Sequence, residues 1–322
     1  MTATTPPFQA PAPGRFIKTE AVNTRRKITN LLMLGITGLL TLLALLPLFW
    51  IIGYVVYKGG QYISLDFFTQ LPRPMGMAGG GVLHAIEGTV VLTLLSSLFA
   101  IPPGILAGIY VAYHPETWLG VAVRFSTDVL AGIPSIVVGL FGYALIVKGQ
   151  GHYSAVAGAV ALAILMVPII IRTTEEMIKL VPQSLREGSL ALGAPEWKTM
   201  LSVTLPAAAN GVITGVLLGV ARASGETAPL LFTALGNDQY EIGRIVNSGV
   251  VRGQSIFTIL GNIFEQPVDS LPLTLFKYSQ QPYPERINQA WAVALVLMIV
   301  VLAINIIARV WVEVRSARLQ GK

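Results

Sequence analysis

Residues Arg186–Pro206, REGSLALGAPEWKTMLSVTLP, form a polar interruption between two long apolar runs. The stretch reads as helix, tight turn, helix. Just upstream, Pro182 suits the first turn of a short helix, where its missing N–H would be unsatisfied anyway. Gly193 suits the left-handed residue that ends such a helix, and Pro195 the opening of the next one. Lying outside the bilayer between membrane segments, this knuckle would be rigid and exposed, and suited to pushing against another protein.

The flanks read as membrane spans from composition. The chain has 322 residues, 53% hydrophobic and only 12% charged, with a mean hydropathy of +0.67. A soluble domain carries about 25% charged residues. The pI near 9.6 does not point to nucleic acid, because the basic residues sit at the ends of apolar runs, as the positive-inside rule predicts. With no cysteine in the chain, disulfides, thiol catalysis and Cys-based metal sites are excluded.

Met1–Gly14 is rich in Thr, Pro and Ala without an apolar period and is expected to be disordered. Arg15, Lys18, Arg25, Arg26 and Lys27 then precede the uncharged run Ile28–Tyr57. That run is about twice the length of a signal-peptide core and ends in bulky Trp50, Tyr54 and Tyr57, so it reads as an uncleaved transmembrane helix. Further runs are Gly88–Tyr113, Val129–Val147, Tyr153–Ile171, Thr199–Ala221 and Ile287–Ala308. Each is near the roughly 20 residues a span requires. The fifth is expected to enter the membrane near Ala207 and continue to about Ala234. The expected fold class is all-α integral membrane with six transmembrane helices. A disordered tail would occupy residues 1–27, the six-helix domain 28–311 with its polar loop near 175–206, and a second tail 312–322.

Orientation follows from Lys and Arg in the short loops. An inside N-terminus places Arg124, the Arg172–Lys198 loop, Arg309, Arg315, Arg318 and Lys322 in the cytoplasm, and leaves Lys58, Arg73 and Lys148 outside. Both termini are therefore expected to be cytoplasmic. Outside, Met75–Gly81 (MGMAGGG) reads as a flexible linker. The long stretch Gly236–Arg286 reads as a cap or a docking surface. No inverted repeat of the secondary-transporter kind is visible.

In the fifth run Gly211, Gly215 and Gly219 make a smooth stripe for close helix packing. Arg222 follows Gly215 by seven residues and Glu226 follows Gly219 by seven, which returns to within about 20° of the same face. A central arginine costs roughly 2.5–3.5 kcal/mol to insert. Two readings stay open: an Arg222–Glu226 pair that neutralises itself, or an Arg222 that meets an anionic substrate while Glu226 holds it in place. Guanidinium donors suit an oxyanion. Arg172 reads as a cytoplasmic flank by position, and Arg124 with Asp128 as a structural i,i+4 pair. No GxxxxGK[ST] loop is present, so ATP hydrolysis by this chain is not expected. The absence of HExxH and GxSxG removes support for an enzyme. His84, His114 and His152 lie far apart and read as interfacial, and no metal site is expected.

Glu187-Gly188-Ser189, three residues, Gly193, nine residues, Val203, one residue, Leu205-Pro206 resembles the EAA loop of ABC importer permeases. Gly188 and Ser189 stand where that pattern has two alanines, and Val203 where it has Ile. VPIIIRTTEEM at Val167–Met177, SLREGSLALGAPEWKT at Ser184–Thr199 and ARASGETAPLLFTAL at Ala221–Leu235 further resemble the PstA family of phosphate-importer permeases, as do GGGVLHAIEGTVVLT at Gly79–Thr93, LPLTLFKYS at Leu271–Ser279 and NIIARV at Asn305–Val310. The resemblance implies a type I ABC importer permease in the bacterial inner membrane. Its partners would be a homologous PstC-like permease, two PstB-like ATPase subunits and a PstS-like phosphate-binding protein. ATP and Mg would belong to the ATPase, with no cofactor on this chain. Glu187, Gly188, Ser189, Gly193, Leu205 and Pro206 would dock on the ATPase. Arg172, Arg222 and Glu226 match charged positions tied to phosphate passage. A permease for sulfate, molybdate or phosphonate, or an ion-coupled secondary transporter, is the alternative.

Overall fold

In a hydrocarbon environment a segment must satisfy its own backbone polar groups, so long apolar runs fold as helices. The computed structural model describes Glu20–Gln320 apart from Met75 and Ala78, and the expected disordered stretch Met1–Gly14 lies outside the described residues. In order the helices are α1 (Glu20–Gly60), α2 (Leu65–Thr69), α3 (Leu83–Tyr113), α4 (Trp118–Gly132), α5 (Ser135–Gln150), α6 (Ala155–Lys179) and α7 (Gln183–Ala191). They continue as α8 (Glu196–Ser224), α9 (Leu230–Thr233), α10 (Ile242–Val251), α11 (Ile256–Phe264), α12 (Leu271–Ser279) and α13 (Pro284–Gln320). No strand occurs among the described residues, only two isolated bridges. By contacts the chain divides into Met1–Tyr54 and Val55–Lys322. In the first unit α1 is apolar all round, with Leu31, Leu42, Phe49 and Trp50 exposed, the pattern of a lipid-facing helix. The rest concerns the second unit.

Among the described residues, five helices are long and apolar enough to cross a membrane, and counting the bent pair α4–α5 as one span gives six. That pair replaces the straight third span expected from the sequence. It bends by 105° at Ile133–Pro134, because Pro134 donates no N–H and pushes the residue before it out of the helical region. The fifth span also differs: α8 stops at Ser224, with Gly225 at its C-cap, rather than running to Ala234. Pro229 then caps the separate α9. Both expected tails are partly helical, since α1 begins at Glu20 and α13 runs to Gln320.

The long stretch Gly236–Arg286 folds into α10, α11 and α12 and packs back on the bundle. Tyr240 is buried and donates its hydroxyl to the Ile263 carbonyl at 3.2 Å. The Ile242 N–H donates to Glu87 Oε2 of α3 at 2.7 Å. Part of the expected linker is pinned as well, since Gln289 Nε2 donates to the Gly79 carbonyl at 2.9 Å; just ahead of the linker, Arg286 donates to the Arg73 carbonyl.

The core helix is α6, whose Ala-rich first half, Ala155–Ala163, lets neighbours approach closely. Gly104 and Gly108 of α3 face Ile170 and Thr174 on one flank of α6. On the other flank Gly211 and Gly215 of α8 face Met177 and Thr173. The stripe is unequal. A Cβ at Gly215 would lie 2.3 Å from Thr173 Cγ2, whereas one at Gly219 would meet Ile170 at an ordinary 3.5 Å. Thr173 is β-branched and its hydroxyl is held by the Ile169 carbonyl at 2.8 Å, so it cannot swing aside freely. Overpacking of this kind costs about 1–3 kcal/mol. Gly215→Ala is therefore expected to lower the thermal unfolding midpoint in detergent, and Gly219→Ala to leave it in place. Equal midpoints for the two variants would contradict this packing.

Candidate functional site

The polar loop folds as its punctuation predicts. Pro182 is the N-cap of α7, and Leu192 ends it. Gly193 takes φ +84, the Gly193 N–H donates to the Leu190 carbonyl at 2.9 Å, and the Ala194 N–H donates to the Ser189 carbonyl at 3.3 Å. Those two bonds are the Schellman pair that satisfies a helix C-terminus. Pro195 then caps the start of α8. A π-helical turn, Met200–Thr204, widens α8 just before Pro206, whose missing N–H interrupts the ordinary ladder there. Glu187, Gly188, Leu192 and Gly193 are exposed, as is Pro206, while Leu205 is half-buried. Ser189 is half-buried and its hydroxyl lies 2.9 Å from that of buried Thr199, which ties α7 to α8.

Further along the bundle, five charged side chains of α4 and α6 form a cluster. Arg124 and Asp128 do not pair with each other as their spacing predicted. Arg124 Nη2 donates to Glu175 Oε1 at 2.6 Å, and Asp128 accepts from Arg172. Arg172 Nη1 lies 3.7 Å from Glu175 Oε2, and Lys179 Nζ donates to Glu175 Oε1 at 2.5 Å. Arg124 and Asp128 each find on α6 a partner that their own helix does not supply. Glu175 is only 3% exposed and is the hub of this network. Sequence reasoning did not single it out, although the spacing Arg172, Glu175, Lys179 puts all three on one face. Three cations and two carboxylates leave the cluster one positive charge in excess.

Arg222 sits in the last turn of α8, where a cation is favoured by the helix dipole. Its Nε lies 3.5 Å from Glu226 Oε1, so the expected pair exists, but Glu226 lies beyond the helix end and not on its face. Glu226 is 18% exposed and Arg222 55%. The glycine stripe turns inward to α6, while Arg222 opens to the surface with Thr214 and Leu218. The antiparallel contacts of Gly215 with Thr173 and Gly219 with Met166 place Arg222 about six residues of α6 away from Arg172, or about 9 Å along the axis at 1.5 Å per residue. The structure therefore does not bring Arg172 together with Arg222 and Glu226. They stand at successive depths.

A second cluster lies at the other end of the bundle from the polar loop. His84, expected to be interfacial, is fully buried, and neither ring nitrogen has a hydrogen-bond partner. His84 Nε2 is 3.7 Å from Asp269 Oδ2 and 3.9 Å from Asp238 Oδ1. His114 and His152 are exposed. The three side chains His84, Asp238 and Asp269 have the donor set of a cation site, but the Lys277 ammonium already lies 2.5 Å from Asp269 and 3.1 Å from Asp238. Burial disfavours the Lys277 ammonium, yet the Asp269 and Asp238 carboxylates outweigh it and hold its pKa above the ordinary lysine value. The protein thus supplies its own cation here.

Residues 104–321 match the family described as "Binding-protein-dependent transport system inner membrane component". The chain is 42% identical over 286 residues to "Phosphate transport system permease protein PstA" of Yersinia pestis, covering 88% of this chain and 90% of the relative. It is 38% identical to the protein of that name from Haemophilus influenzae, covering 89% of this chain and 95% of the relative. Among solved structures, a bacterial alginate ABC transporter in complex with a pentasaccharide-bound periplasmic protein aligns with TM-score 0.57 at 16% identity, over 88% of this chain and 94% of that one. The MetNI methionine ABC transporter, in an inward-facing form, aligns with TM-score 0.54 at 18% identity, over 72% of this chain and 95% of that one. At such identities the likeness is one of fold.

Proposed function

Because the chain belongs to the binding-protein-dependent transport inner-membrane component family, we infer that it is the permease subunit of a phosphate ABC importer, a multi-pass protein of the plasma membrane. The observation that carries the substrate is 42% and 38% identity, over 88% and 89% of this chain, to permeases named for phosphate transport. Sulfate, molybdate and phosphonate are not favoured. The chain is a transport component rather than an enzyme.

The finer reading joins the geometry of the loop and its charges to what the family resemblance implies. ATP would be bound with Mg and hydrolysed by separate ATPase subunits, seated on α7 and the turn after it at exposed Glu187, Gly188 and Gly193 and half-buried Ser189. Leu205 and Pro206 follow where the loop enters the membrane. A homologous permease would complete the pathway, and a phosphate-binding protein would deliver substrate from outside, with both termini cytoplasmic. Arg222, exposed on this chain and held loosely by Glu226, would face the pathway. Arg172, at another depth, would offer a second positive group. Arg222 is shared with one carboxylate and Arg172 with two, so neither would hold an oxyanion permanently, and release requires that weakness.

The test is reconstitution in liposomes of the complex purified through this chain, with its binding protein. ATP-dependent phosphate uptake that excess sulfate, molybdate and phosphonate fail to suppress is the expected result. Suppression by one of these anions, or uptake without an ATPase subunit, would overturn the reading.

A further inference from the structure

We propose that the polar loop grips a third membrane helix, driving α3 through Arg186 and Tyr113 as well as α6 and α8, to which it is joined along the chain. The inference rests on the docking reading above and goes beyond it by naming this added arm and its residues.

Tyr113 is the last residue of α3. The guanidinium carbon of Arg186, on α7, stands 4.6 Å from the centroid of its ring, within the range of a cation–π contact. The Tyr113 hydroxyl donates to Thr204 Oγ1 at 2.8 Å, so the same side chain is bonded to the π-turn of α8. Arg186 Nη2 also lies 3.5 Å from Glu196 Oε1 in the first turn of α8. That pair is exposed at both ends and contributes little by itself. Its value is geometric, since it helps hold the guanidinium over the ring. The Ser189–Thr199 hydroxyl pair, about one turn along the same side of α7, closes the arrangement. Thus α7, the end of α3 and the start of α8 form one body.

This body has a mechanical consequence. Helices α3 and α8 flank α6, touching it through Gly104 and Gly108 on one side and Gly211 and Gly215 on the other. A displacement of α7 reaches α8 directly and reaches α6, which carries Arg172 and Glu175, through the short link 180–182. Carried to α3 as well, it makes the second flank of α6 move with the first. Residues Arg186 and Tyr113 are positioning residues in this scheme, because they touch no substrate.

The test uses the full reconstituted complex and reads ATP hydrolysed per phosphate imported. Arg186→Gln and Tyr113→Leu should each leave the ATPase subunits bound and raise that ratio about fivefold, the low end of typical coupling between sites. Arg186→Lys, which keeps a cation over the ring, should restore most of the coupling. The Arg186→Gln/Tyr113→Leu double variant should be no worse than the poorer single, since both break one contact. An unchanged ratio in both singles, or additive effects in the double, overturns the proposal. Should Tyr113→Leu fail to accumulate, Tyr113→Phe deletes only the Thr204 bond, and a ratio within twofold of the unaltered protein overturns that part. Gly193→Glu separates this from the docking reading: it should strip the ATPase subunits away, and if it does not, docking itself is misplaced whatever Arg186 does.

Discussion

Arg222→Gln is expected to cut phosphate uptake by the assembled complex roughly a hundredfold, with its ATPase subunits still attached. A hydrogen bond to a charged group contributes about 1.5–3 kcal/mol, and each 1.4 kcal/mol is about tenfold. Glutamine keeps a donor and much of the length while removing the charge. The expectation is specific to Arg222 because of how it is held. Its partner Glu226 lies at 3.5 Å, a loose contact, and more than half of the arginine side chain is exposed, so loss of the guanidinium removes little packing and should not unfold the bundle. Arg222→Lys should fall between the two, since an ammonium supplies charge but not a planar pair of donors. Uptake of labelled phosphate into ATP-loaded liposomes measures this. Rates within twofold of the unaltered complex would remove Arg222 from the pathway.

Legibility in the sequence followed the range of the forces involved. The loop was readable because Pro182, Gly193 and Pro195 act within a residue or two of themselves: a missing N–H and a left-handed φ need no distant partner. The apolar runs were readable for the same reason. The end of α8 was misjudged because the seven-residue arithmetic linking Gly219 to Glu226 assumes a continuous helix. Gly225 and Pro229 stand in that very stretch and break it. Long-range pairing was not legible. Arg124 and Asp128 have helical i,i+4 spacing, but spacing only permits a pair, and Glu175 lies 51 residues from Arg124 in the chain. Likewise His84 reads as a helix-edge histidine until the fold brings Asp238 and Asp269 beside it.

Glu175 supplies the second large effect. Its carboxylate is nearly inaccessible and takes Arg124 at 2.6 Å and Lys179 at 2.5 Å, with Arg172 at 3.7 Å. Glu175→Leu fits the apolar surroundings by size but leaves Asp128 as the cluster's one carboxylate against three cations. Removing one partner of a buried pair costs about 3–5 kcal/mol when the survivor stays buried. Here the survivors are 30–49% exposed and rehydrate, so the cost should fall to about 2 kcal/mol. Thermal unfolding in detergent should show that loss, and membrane levels of the subunit should drop several-fold. The charge account makes a sharper demand. In the Glu175→Leu background, Arg124→Leu removes the cation with the least exposure and should recover part of the stability, although each change alone destabilises. The reverse single, Arg124→Leu, leaves Glu175 with Lys179 and Arg172 and should cost less than Glu175→Leu. If the double variant is no more stable than Glu175→Leu, balance of charge between α4 and α6 is not what holds those helices together. The apolar contacts of α4 would then have to carry the packing that presents Arg172.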